Sequence, residues 1–151
     1  MAFFDNLKTK TQELSSGLKT KAGQFKNKDF ANASMAMCAL IAAADGTIDP
    51  EERRKTAALI GANDVLAIFP PAELRDNFDQ YCDKLERDYD FGKVEVIGVL
   101  GKLKKKQDQA RAVLQIGIII GGADGNFDEH ERKAVKEACF AVGIDPTEFD
   151  L

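Results

Sequence analysis

The residues of this chain best placed to do chemistry are six carboxylates in two matched groups. Asp45, Asp49 and Glu52 fall in Ala44-Asp45-Gly46-Thr47-Ile48-Asp49-Pro50-Glu51-Glu52-Arg53. Asp124, Asp128 and Glu131 fall in Ala123-Asp124-Gly125-Asn126-Phe127-Asp128-Glu129-His130-Glu131-Arg132, 79 residues further on. Oxygen donors gathered around a tight turn suit a hard divalent cation, calcium or magnesium, better than zinc. In both copies the pattern matches positions 5, 6, 8, 9 and 12 of an EF-hand loop. The first and third positions would be Ile41 and Ala43, then Ile120 and Gly122, none of which has a side-chain ligand. With half of the coordination sphere missing, either such a site is weak or its remaining ligands come from elsewhere, for example from the other repeat.

The same residues also suit a purely structural role. Gly46 and Gly125 stand where a helix ends in a left-handed residue, a conformation glycine adopts at least cost. Asp49 and Asp128 are placed as N-caps, with Glu52 and Glu131 three residues later to complete capping boxes. Pro50 fits the first helical position, and Ile48 and Phe127 point inward. Asp45 and Asp124 resist this account. Each is expected in the last turn of its helix, against the negative end of the dipole, at a cost of roughly 0.3–1 kcal/mol. A bound cation would offset a cost incurred twice. A capping turn and a cation site both remain open.

Other candidates carry less. His130 is the only histidine, so catalytic triads and multi-histidine metal sites have nothing to build on. Gly121-Gly122 lacks the strand and Lys-Ser/Thr of a phosphate loop and reads as a place of close helix packing. Met35 and Met37 read as core fillers, and Lys102–Lys106 as a solvated helix end.

Helices must hold these turns. Apolar residues recur at helical spacing almost throughout, Gly and Pro fall at boundaries, and no run alternates as a strand would. The segment of about 3–25 places Phe4, Leu7, Thr11, Leu14, Leu18 and Phe25 on a narrow stripe flanked by Lys8, Lys10, Lys19 and Lys21. That stripe either docks on the rest of the protein or, with Phe3 and Phe4, makes peripheral contact with an anionic membrane or a partner helix. Helices follow at about 29–45, 50–61, 63–68, 71–88, 90–105, 107–123 and 129–142, then a short tail at 145–149. Those at 29–45 and 107–123 are apolar around most of their circumference and are expected to be central. The prediction is one all-α domain over residues 1–151, a compact bundle of seven or eight helices with an internal repeat of helix, acidic turn and helix. Residues 1–27 form its basic amphipathic N-terminal segment.

Composition narrows the classes. An apolar fraction of 44% and a charged fraction of 30% are those of an ordinary soluble protein. No stretch approaches the roughly 18 apolar residues that span a bilayer. The N-terminus lacks a signal-peptide core, so a cytoplasmic location is expected. Cys38, Cys82 and Cys139 are odd in number and far apart, and read as buried free thiols. Residues 1–30 hold six lysines against Asp5, Glu13 and Asp29, an excess of +3 that leaves −7 for the rest of a chain with net charge −4. An acidic body suits a cation or a basic partner and not a nucleic acid.

Several segments resemble the tellurite-resistance TerB family. They are the opening Phe3-Phe4-Asp5-Asn6-Leu7, the run Phe25-Lys26-Asn27-Lys28-Asp29-Phe30, the turn at Asp45-Gly46, the copy Asp124-Gly125-Asn126-Phe127-Asp128, and the ending Gly143-Ile144-Asp145-Pro146-Thr147-Glu148-Phe149. The resemblance implies an all-helical fold shared with the N-terminal domain of the co-chaperone DjlA, and a place in a tellurium-resistance and stress-response system. It implies a metal-binding role for Asp45, Asp49, Glu52, Asp124, Asp128 and Glu131. It also implies partners among other tellurium-resistance proteins, an integral-membrane one included, at the inner face of the membrane. The expectation is therefore a non-enzymatic protein that binds divalent cations and docks on such partners. The alternatives are a structural adaptor whose acidic turns are caps only and, third, a magnesium-dependent hydrolase, for which polar catalytic side chains are scarce.

Overall fold

The computed structural model describes residues 25–151 apart from 124 and 126, so the expected first helix and Asp124 lie outside the described residues. Regular structure among the described residues is helical: α1 (Lys28–Ala42), α2 (Pro50–Ala62), α3 (Pro71–Arg87), α4 (Tyr89–Gly101), α5 (Gln107–Gly121) and α6 (Glu129–Val142). Leu66–Ile68 and Pro146–Phe149 are 3-10 turns. The all-α expectation holds. Six α-helices stand among these residues, against seven or eight expected over the whole chain, and the segment expected at 63–68 is one of the 3-10 turns. Its Asn63 side chain accepts from the Val65 and Leu66 amides at 2.9 and 3.1 Å, which favours a turn over a longer helix.

Sequence explains where the core lies. Twelve of the fifteen residues of α1 are buried, and α5 buries nine of its fifteen, as helices apolar around most of their surface must. Both start at the same end of the molecule, where Asn27 Nδ2 donates to Gln109 Oε1 at 3.1 Å. Both finish at the other end, where Ile41 and Ile120 line one cleft. The two central helices therefore run parallel and deliver both acidic turns to the same pole. Gly117 permits the approach: a Cβ there would lie 2.6 Å from Met37 Cγ.

Around this pair the other helices are amphipathic. α3 turns Leu74, Phe78, Cys82 and Leu85 inward, and α6 turns Val135, Ala138, Cys139 and Val142. Met35, Met37 and all three cysteines are fully buried, as expected. By contrast α2 sinks only Thr56 and Ile60.

The expected helix at 90–105 stops at Gly101. The lysine run continues as turns because Leu103 is drawn into the core and its amide folds back onto Leu100 O at 3.0 Å. Both central helices also end early, at Ala42 and Gly121. The Gly46 and Gly125 amides fold back onto Ala43 O and Gly122 O, each at 2.9 Å. Asp45 therefore sits in the turn beyond α1, not in its last helical turn.

Candidate functional site

Both turns are built on a glycine with positive φ, +95° at Gly46 and +78° at Gly125. That conformation reverses the chain at no side-chain cost. Beyond it the next helix opens on an aspartate. Asp49 accepts from the Glu51 amide at 2.9 Å, with Pro50 at the first helical position. Asp128 accepts from the Glu131 amide at 2.8 Å, and Glu131 Oε1 accepts from the Asp128 amide at 3.2 Å. The second turn thus has the complete capping box expected of it. In the first turn the described bond is the aspartate's own.

Asp45 has a local task too. Its Oδ1 accepts from the Thr47 amide at 3.1 Å and from the Thr47 hydroxyl at 3.2 Å. The same Asp-x-Thr arrangement recurs at Asp145 and Thr147, outside any acidic turn. There the two Thr147 hydrogen bonds, backbone first, hold the Asp145 carboxyl below its ordinary range. Position 126 of the second turn is Asn, so the hydroxyl half of this device has no counterpart there.

Asp124 lies outside the described residues, and the five expected ligands that are described do not gather at one point. Glu52 lines a cleft of about 190 Å³ together with Asp128 and Glu131, and Lys55 lines it as well. The cleft sits between equivalent parts of the two repeats: Ile41 and Ile120 are 79 residues apart, and so are Glu52 and Glu131. Three carboxylates against one ammonium give its lining a formal charge of −2. Gly121 makes room for the arrangement, since a Cβ there would lie 2.8 Å from the Phe127 ring and 3.1 Å from Glu131 Oε2.

Asp45 lines a different, polar cleft of about 350 Å³ with Tyr89, Asp90, Lys93, His130 and Glu137. There Lys93 pairs with Glu137 at 2.5 Å and stands 5.5 Å from the centre of the Tyr89 ring. Asp49 lines neither cleft. Among the described residues no three His, Cys, Asp or Glu side chains come together closely enough to hold a metal ion. The EF-hand analogy fails for a plain reason: Ile41, its first position, is still inside helix α1 and 6% exposed.

One residue of the motif has a role that the spacing of the acids did not reveal. Arg53 reaches from α2 to Asp79 Oδ1 at 3.3 Å, Asp83 Oδ1 at 2.9 Å and Glu86 Oε2 at 3.3 Å, all on α3. It also donates to the Asp79 carbonyl oxygen at 3.2 Å. The available signal was acids at i, i+4 and i+7 of one helix face, with an arginine fixed in the repeated turn.

A helical repeat with two Asp-Gly turns at one pole defines the class, and comparison with known proteins places the chain within it. Residues 31–151 match the family described as tellurite resistance protein TerB, and the chain belongs to that family. A tellurium resistance protein TerB from an Alcaligenes species is 30% identical over 118 residues, covering 78% of this chain and 97% of that protein. No solved structure matches. Among the described residues no helix is long and apolar enough to cross a membrane.

Proposed function

We propose that this protein serves tellurite resistance as a non-enzymatic receptor for a divalent cation, bound in the cleft between the repeats. Other tellurium-resistance proteins, an integral-membrane one among them, would be its partners at the inner face of the membrane. The observation that carries the reading is the placing of Glu52, Asp128 and Glu131 along one cleft. Capping alone does not require the equivalent glutamates of both repeats to line the same space. All its carboxylate donors are hard oxygen ligands, which suit calcium or magnesium. The described side chains do not converge as a ready cage, so one or two carboxylates and water would meet the ion, a weak mode that magnesium commonly uses. A cation held there would neutralise the cleft and bridge the repeats. The shortage of polar catalytic groups supports a non-enzymatic role, with one histidine and three buried thiols on hand.

The thermal midpoint in millimolar calcium or magnesium tests the reading, because an ion bound only to the folded state raises it. The parent protein is expected to gain stability and Glu52→Gln to lose most of that gain. An equal response in both, or none in the parent, removes the cation reading. The adaptor reading has its own support: Asp45, Asp49, Asp128 and Glu131 all accept hydrogen bonds at a turn or helix start. On that reading the ions change nothing.

A further inference from the structure

Away from both turns, α2 packs loosely against α3 and the Leu66–Ile68 turn, leaving an apolar cavity of about 160 Å³. Ile60, Leu66, Phe69, Leu74 and Phe78 form its walls, each more than nine-tenths buried. Gly61 also lines it, and a Cβ there would meet nothing within 4 Å. A dry cavity of about 150 Å³ is enough to take up benzene, so this one has room for a single ring or a short apolar chain.

The polar side chains of the lining are Asn63 and Arg75. Asn63 Oδ1 is occupied by the Val65 and Leu66 amides. Arg75 is exposed, makes none of the ion pairs found among the described residues, and belongs also to the open groove that continues along α2 past Ala57 to Pro50. An apolar chamber with a guanidinium at its lip matches a molecule that is apolar at one end and anionic at the other. Arginine offers a planar fork that takes both oxygens of a carboxylate.

We propose that this cavity is a binding site for a small amphiphilic carboxylate, its ring or chain among Ile60, Leu66 and Phe78 and its carboxylate on Arg75. The site is separate from the acidic turns and does not depend on cation binding there. Two probes that differ only in charge test it on the full chain: 3-phenylpropionate and 3-phenylpropanol, titrated against amide NMR signals. Both are expected to shift Ala57, Gly61 and Ala67, with the acid binding about fivefold tighter, the scale of one solvent-exposed ion pair. Arg75→Gln should equalise the two affinities. Gly61→Leu should fill the chamber and abolish both while circular dichroism stays helical; Ala57→Met does the same from a second position if the first variant misfolds. The proposal is overturned if neither probe shifts these amides, or if the alcohol binds as tightly as the acid. It is equally overturned if the acid keeps its advantage in Arg75→Gln, or if the shifts gather instead on the exposed Phe91–Val94 face of α4.

Discussion

Arg53→Met removes the clamp that ties α2 to α3 while keeping the unbranched apolar stem of the side chain. The guanidinium side chain is 21% exposed, but Asp79, Asp83 and Glu86 are 44%, 62% and 41% exposed, so water screens each pair. Pairs of that kind contribute roughly 0.2–1 kcal/mol each. Three of them, with the repulsion left among the freed carboxylates, come to about 1–2 kcal/mol at low salt. In a chain of this length that lowers the melting temperature by roughly 3–6 °C. Arg54→Met is the control: its partner is Glu51 on the same helix, both side chains are more than two-thirds exposed, and the expected loss is under about 0.5 kcal/mol. Melting curves at low salt and in about 1 M salt, where the Debye length falls to roughly 3 Å, separate charge from packing. The Arg53→Met deficit should shrink by half or more in high salt. Equal melting temperatures for the two variants, or a deficit that salt leaves untouched, refute the clamp.

Further outcomes follow from the turns and the core. Asp128→Ala breaks a two-way capping box and should cost about 1 kcal/mol in urea unfolding, against about half that for Asp45→Ala, which loses bonds within an exposed turn; an equal or reversed order contradicts these roles. Gly121→Ala gains roughly 1 kcal/mol of helix propensity but forces a methyl against Phe127 and Glu131, so a net loss of about 1–2 kcal/mol is expected, and an unchanged urea midpoint would contradict the crowding. Burial raises all three thiols, Cys82 and Cys139 to about 12 despite the lowering influence of Arg53 on Cys82. The folded protein at pH 8 therefore holds almost no thiolate, and iodoacetamide should leave all three unmodified by mass spectrometry until the chain unfolds; prompt labelling would contradict their burial.

Much of the fold is legible in the sequence because helix periodicity and turn chemistry agree. Pro50, Pro71 and Asp128 mark helix starts correctly, and the crowded apolar runs around Met37 and Ile118 identify the central helices. Boundaries are read less well where tertiary pull decides them. Nothing local announces that Leu103 will be buried and will stop α4 at Gly101, or that α1 will close three residues before Asp45. That last difference matters most, because the unfavourable dipole at Asp45 was the sequence's main argument against a plain cap. With Asp45 in the turn and bonded to Thr47, Glu52 and Glu131 are the acids whose placing goes beyond a plain cap. Their sharing of one cleft depends on α1 and α5 running parallel, which no single-chain periodicity encodes. Arg53 was visible as a motif residue, yet its partners lie 26 to 33 positions away, beyond any local pattern.

A cation in the cleft between the repeats would show in calcium and magnesium titrations of amide NMR signals in the parent and in Glu52→Gln/Glu131→Gln. Saturable shifts are expected at millimolar ion, centred on Ile41, Lys55, Ile120 and Gly121, and are expected to vanish in the double variant. Shifts confined to the Asp45 turn, persisting in the double variant, or absent altogether would contradict a cation in that cleft.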